Sequence, residues 1–173
     1  QLDADEVVSP ELAGEIKSKI QESKFNGYWI NRRNWFLDRF LTKGGQYPDP
    51  TLRLYRRGKG RLLAKDVHEQ AQVQGAIGRL QHDLLHYRDT SFAKYLDGFN
   101  RYSSFIASQI NPPVDLWQTF NYLFIKPVAT FGKIYFRHRG YVDNFPGLVF
   151  ALFSGLIYPV AYIKYWQHKY YPV

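Results

Sequence analysis

Three apolar residues spaced four apart, Leu12, Ile16 and Ile20, mark one side of a helix whose start is written in Ser9-Pro10-Glu11. A serine ahead of the first turn caps free backbone N–H groups, proline supplies the helical φ where no N–H is needed, and an acid complements the positive end. The pattern predicts a helix laid by one stripe on a sheet and closed at Asn26-Gly27. Residues 28–36, "YWINRRNWF", read as a strand running into a polar turn, and "TKGGQYPDP" (42–50) as a loop by its glycines and prolines. "TLRLYRR" (51–57) alternates, which puts Leu52 and Leu54 on one face of a strand and Arg53, Tyr55 and Arg57 on the other. A basic turn "RRGKGR" (56–61), a polar segment "KDVHEQ" (65–70) and a strand-like or short helical stretch "GAIGRLQHDLLHY" (75–87) complete this half.

The pattern changes after Arg88. Phe92, Tyr95, Leu96, Phe99 and Tyr102 follow helical spacing through residues 91–110, and Asn111-Pro112-Pro113 stops that helix because proline lacks the N–H a further turn requires. From Leu116 the chain is aromatic and basic, as in "FNYLFIKPVATFGKIYFRHRGY" (120–141), and Phe145 to Ile163 is a run of 19 residues without a charge. With a helix starting at Pro146-Gly147, about 16 residues remain, or roughly 24 Å of helix. That is borderline against the ~20 residues and ~30 Å of a full span, and Pro159 and the Ser154-Gly155 pair weaken it further. Lys126, Lys133, Arg137, His138 and Arg139 precede the run and Lys164, His168 and Lys169 follow it, with tyrosines and Trp166 among them. Cations on both sides carry no inside-outside asymmetry; they fit helices lying in the interface of an anionic leaflet. The competing reading is a buried helix that closes the domain or a dimer contact.

Composition narrows the partners. A chain of 173 residues is long enough for one domain with its own core. It opens at Gln1 and carries no methionine, so it is expected to be part of a longer protein whose missing piece precedes the first strand. The absence of cysteine excludes a disulfide scaffold and any thiolate metal site, and suits a cytoplasmic setting. A net charge of +8 calls for an anionic partner: nucleic acid, nucleotide phosphates or an anionic membrane surface. Aromatics at 18% of residues add a surface where rings and cations act together. No repeat of solenoid period and no low-complexity tract is present.

The opening letters "LDADEVV" carry the first candidate chemistry. In an extended segment residues i and i+2 point to the same side, so Asp3 and Asp5 would present two carboxylates to one point. Such a pair suits Mg²⁺ or Mn²⁺ with phosphate oxygens completing the shell, although the same letters also describe a solvated turn before a helix. His82 and His86, four apart, would share a helix face as zinc ligands, but no third ligand of suitable spacing accompanies them. Arg53, Arg56 and Arg57, with Lys59 and Arg61, form the densest cationic cluster, suited to bidentate grips on phosphate or else a solvated hairpin. Trp29 and Tyr55 can stack on sugar faces or fill the core.

"LDADEVVSPEL", "GYWINRRNWF", "GGQYPDPTLRLYRRGKGR", "VHE" and "LLHY", in this order over nearly the whole chain, resemble the second half of a family 2 glycosyltransferase of GT-A fold, within the lipopolysaccharide-core glucosyltransferase group. The resemblance implies an α/β fold. Residues 1–90 would be the C-terminal half of the GT-A catalytic domain, with a mixed sheet, and residues 91–173 a helical, membrane-associated region. It implies inverting transfer of a sugar, glucose in that group, from a nucleotide diphosphate donor such as a uridine diphosphate sugar to a lipid-linked saccharide. The setting would be the cytoplasmic face of a bacterial inner membrane, with the chain peripheral or holding one short membrane segment, and with no nucleic acid as a partner.

By the same resemblance Asp3 and Asp5 hold the Mg²⁺ or Mn²⁺ ion, and His86 in "LLHY" matches the histidine that GT-A enzymes often supply to the metal or diphosphate. A packed core histidine is the other reading of His86. Glu69 in "VHE" would be the catalytic base, with Asp66 as the fallback, and His68 would orient the carboxylate or bind phosphate. Arg53, Arg56 and Arg57 would face the diphosphate or a phosphorylated acceptor. Two alternatives stand beside this: a family 2 glycosyltransferase acting on another polysaccharide or polyprenyl-linked acceptor, and a noncatalytic basic module that binds a membrane surface.

Overall fold

The computed structural model describes residues 1–22, 24–62, 71–111 and 113–171. The chain divides into two compact units, Gln1–Trp35 with Gln46–Arg88, and Phe36–Gly45 with Asp89–Val173.

Leu12, fully buried, and Ile16 pin helix α1 (Pro10–Glu22) to the core of the first unit, while Ile20 stays exposed near the helix end. The Ser9 hydroxyl accepts the Leu12 N–H at 3.2 Å, so the cap forms where the sequence places it. The strands are β1 (Glu6–Val8), β2 (Gly27–Phe36), β3 (Arg39–Phe40), β4 (Asp49–Tyr55), β5 (Gly60–Arg61), β6 (Gln72–Val73), β7 (Ile77–Arg79) and β8 (Leu84–Asp89). The ambiguous stretch at 75–87 is therefore strand, interrupted by a bend. β1 pairs antiparallel with β8, β8 neighbours β2, and β2 also carries β4 antiparallel and β7 parallel, giving a mixed sheet. Leu12, Tyr28, Ile30, Leu80 and Leu84 form its core under α1, with Leu54 packed against them.

One residue breaks the expected alternation in β4. Tyr28 pairs with Leu54 and Trp29 with Leu52, so Arg53 is the extra residue of a β-bulge. Leu52 and Leu54 consequently do not share a face: Leu54 joins the core, and Leu52 turns with Trp29 to a cavity of about 780 Å³ on the other side.

The second unit is mainly helical. α2 (Phe92–Gln109) starts at Ser91, whose hydroxyl accepts the Lys94 N–H at 3.2 Å. A second run is continuous from α3 (Leu116–Phe120) through a π-turn (Asn121–Ile125), α4 (Lys126–Gly132) and a second π-turn (Lys133–Arg137). The first π-turn ends two residues before Pro127, whose ring lacks the N–H of a regular helix and clashes with the preceding turn; one wider turn relieves both. A short 3₁₀ turn (Gly140–Asp143) then leads into α5 (Asn144–Tyr170), which has 27 residues, about 40 Å of helix. This overturns the shorter estimate. α5 continues through Pro159 and is, by length and composition, apolar enough to cross a membrane, with a mean hydropathy of 1.7 over its most apolar stretch. Gly147 and Gly155 allow the close approach: a Cβ on Gly155 would come within 2.6 Å of the Pro127 carbonyl oxygen, and one on Gly147 would collide with the Gly140 carbonyl. Asp143, buried, accepts the backbone N–H groups of Thr42 and Lys43 at 2.8–3.1 Å and the Thr42 hydroxyl at 2.7 Å, which ties the turn to residues 36–45.

Candidate active site

Glu6, the first residue of β1, has a side chain with no exposed surface. A carboxylate cannot be desolvated without compensation, and two guanidinium groups supply it here: Arg53 Nη2 donates to Oε1 at 3.0 Å and Arg32 Nη1 lies 3.5 Å away. The Asp3 backbone N–H donates to Oε2 at 3.0 Å. The bulge leaves Arg53 outside the strand-to-strand pairing, and its guanidinium serves the acids of the β1 segment. Arg32 also bonds Asp49, through Nε at 3.0 Å and Nη2 at 2.8 Å.

The acidic pair does not lie on an extended segment. The Glu6 N–H donates to the Asp3 carbonyl at 3.1 Å, making residues 3–6 a turn, so the two carboxylates diverge. Asp3 meets the Arg53 guanidinium. Asp5 turns toward β8, where the β1–β8 register sets Glu6 opposite His86 and the Tyr87 N–H donates to the Asp5 carbonyl at 2.8 Å. Asp5 Oδ1 then lies 3.5 Å from His86 Nε2.

The state of that imidazole follows from its other nitrogen. Asn34 donates through Nδ2 to the Gln46 carbonyl and to Asp49 Oδ2, both at 3.1 Å, which assigns its amide orientation. Its Oδ1 must therefore accept, and it does so from His86 Nδ1–H at 2.7 Å. A neutral ring holding its proton on Nδ1 carries a lone pair on Nε2. Burial, joined by the charges of Arg32 and Arg88, holds the His86 pKa below its ordinary 6.5 against the pull of Asp5 and Glu6. At neutral pH two electron-pair donors, the Asp5 carboxylate and the His86 Nε2, thus face one another, and a cation between them would satisfy both.

One carboxylate and one imidazole fit a divalent ion that draws the rest of its shell from phosphate and water. They fall short of the four ligands of a structural zinc site. Among the described residues no three His, Cys, Asp or Glu side chains converge on one point. His82 is held elsewhere, its Nδ1 2.9 Å from Glu15 Oε2 of α1, so the two histidines do not act as a pair.

The remaining expectations divide. Asp3 meets Arg53 and Asp5 meets His86 as two separate pairs on either side of the turn before β1, while Arg56 donates through Nε to the Phe25 carbonyl at 3.3 Å and Arg57 is exposed at the turn beyond β4. Glu69, Asp66 and His68 lie outside the described residues. Trp29 lines the cavity with Leu52, Lys59, Arg61 and Ile77, whereas the Tyr55 ring packs under Gly60. Sequence reasoning missed Glu6 and Asn34. Glu6 had a signal: an acid placed directly before Val7-Val8 in a strand needs a cationic partner once buried.

The chain is 27% identical over 163 residues to the lipopolysaccharide core biosynthesis glycosyltransferase LpsC of Rhizobium meliloti (strain 1021), a match covering 88% of this chain and 60% of LpsC. It thus spans less than two thirds of that relative's length. No protein-family model matches the chain and no solved structure does. The similarity supports a distant relationship to a glycosyltransferase.

Proposed function

We propose that this chain is the metal- and acceptor-side portion of an inverting glycosyltransferase of GT-A type, family 2. It moves a sugar, glucose by its resemblance, from a uridine diphosphate donor to a lipid-linked saccharide of the lipopolysaccharide core, at the cytoplasmic face of the inner membrane. The observation that carries the reading is the Asp5–His86 pair, with the imidazole tautomer set by Asn34; the likeness to LpsC supports it.

Asp5 and His86 would hold a Mg²⁺ or Mn²⁺ ion, with Asp3, which pairs with Arg53, as the further expected ligand. When bound, the ion neutralises negative charge that develops on the departing diphosphate. Glu69, or Asp66 in its place, accepts the proton of the acceptor hydroxyl as that oxygen bonds the anomeric carbon from the face opposite the diphosphate. The anomeric carbon–oxygen bond to the diphosphate breaks, and the electron pair leaves with the phosphate oxygen. Arg53, held by Glu6, would face the diphosphate, and Arg56 and Arg57 would carry phosphate groups at the turn.

Manganese binding, followed by the electron spin resonance of the free ion with and without uridine diphosphate, tests the pair. Asp5→Ala and His86→Ala are each expected to weaken it about tenfold or more. Binding unchanged in both variants would sink the assignment of this site.

A further inference from the structure

Every side of α5 is accounted for except one. Gly147, Ala151 and Gly155 are buried along one side, where Gly147 and Gly155 approach the Gly140 and Pro127 carbonyls, and Phe150 and Phe153 pack with Phe36 and Tyr95. The remaining side carries Phe145, Leu148, Leu152, Leu156 and Ile163, all exposed and all apolar, along the 19-residue uncharged run. These positions share a face by helical periodicity, and the row extends about 27 Å. The preceding helical run leaves its own row, Trp117, Phe120, Phe124 and Val128, uncovered, with Val128 71% exposed. Isolated exposed leucines need no explanation, but two continuous rows do.

We propose that these rows seat the second unit on one leaflet of an anionic bilayer, with α5 lying in the interfacial plane rather than crossing it. Three observations choose this occupant. Residues 91–173 hold eight Lys or Arg against three Asp or Glu, and one of the three, Asp143, is buried on the Thr42 and Lys43 backbone. That excess attracts phosphate headgroups and repels a second copy of the same chain. Trp166 and Tyr170, both exposed, follow the row at its C-terminal end beside Lys169, where amphipathic rings and cations meet headgroups.

The third observation separates lying from spanning. Lys126 sits midway along the helix that packs on α5, its ammonium 3.5 Å from the Tyr122 ring centroid and 5.7 Å from that of Tyr158. A spanning α5 would carry this charge toward the bilayer centre, together with Lys94, Asp97 and Arg101 of α2, which also packs along α5. An in-plane helix immerses only its uncovered side, by about 5–10 Å, and leaves those charges outside.

The inference rests on the membrane part of the proposed function and not on its chemistry, so its failure would leave the manganese result standing. The absence of cysteine makes single-cysteine labelling clean. The whole chain carrying Leu152→Cys, tagged with an environment-sensitive dye, is mixed with vesicles of phosphatidylglycerol and phosphatidylethanolamine, and Ser18→Cys on α1 serves as the control. The dye at 152 is expected to shift to the blue and the one at 18 to stay unchanged, with a smaller response to phosphatidylcholine alone. Nitroxide lipids labelled near the headgroup should quench the 152 dye more than lipids labelled near the chain end. Leu152→Asp, checked for an unaltered circular dichroism spectrum, should lower the vesicle-bound fraction about tenfold. Stronger quenching by the deep label would show a span and overturn the proposal. So would a 152 dye that ignores vesicles, or one that shifts only with protein concentration as the mass doubles.

Discussion

In the sheet unit a glutamate is enclosed with no exposed surface and two guanidinium groups, whereas in the helical unit Phe145 is 69% exposed and a row of leucines follows it. Each unit reverses the ordinary placement of charge and hydrocarbon, and for opposite reasons. Desolvating Glu6 stabilises little by itself, but it holds Arg32 and Arg53 beside the turn that aims Asp5 at His86. Leaving the leucines uncovered costs solubility in water and is recovered only against an apolar partner. Buried charge marks the proposed chemical site, and exposed hydrocarbon marks the proposed attachment face.

The largest expected effect breaks the first side of that comparison. Glu6→Ala leaves two arginines without their shared carboxylate and should cost about 3–5 kcal/mol. Thermal unfolding would then lose the sheet signal first while helical ellipticity persists; a single unshifted transition would mean the network carries no load. On the other side, Gly147→Ala forces a methyl group against the Gly140 carbonyl and should cost about 1–3 kcal/mol, read from denaturant midpoints. Its mirror control, Gly98→Ala on α2, meets nothing and should gain a few tenths to about 1 kcal/mol.

A sharper cut removes the tautomer lock without touching any proposed ligand. Asn34→Leu withdraws the acceptor of His86 Nδ1–H, and manganese affinity should fall about tenfold while vesicle binding is unchanged. The last effect is on pH dependence. Burial pushes the Glu15 carboxyl up, but the N–H groups of His82 and Gln81 and the His82 ring outweigh it and hold the pKa below 4.5. Because the folded value is the lower one, this contribution is present above about pH 4.5 and is lost as pH falls through the folded pKa. Glu15→Gln should therefore cost on the order of 1 kcal/mol at pH 7 and almost nothing in strong acid, measured by urea unfolding across pH.

Much of the scaffold was legible. The Ser9 cap, the Leu12 and Ile16 stripe and the helical pattern of α2 depend on residues within one or two turns of each other, and each formed as expected. Asp5 and His86 were each singled out, yet nothing local joins them: the β1–β8 register decides that contact, and the turn at residues 3–6 decides that Asp3 looks the other way. The bulge at Arg53 was equally hidden, because strict alternation in "TLRLYRR" gives no sign of an extra residue until the partner strand is in place.

By itself the sequence determined the helices over residues 10–22 and 92–109, the strands around 28–36 and 51–55, the long uncharged stretch near the C-terminus, and the acids, histidine and arginines available for chemistry. Periodicity and caps act over a few residues, so they are readable without a partner. Tertiary structure alone decided which carboxylate faces the imidazole, which arginines are already occupied, and which third of α5 is left bare. Those outcomes depend on pairings between positions tens of residues apart, and the chain can settle them only by closing its core.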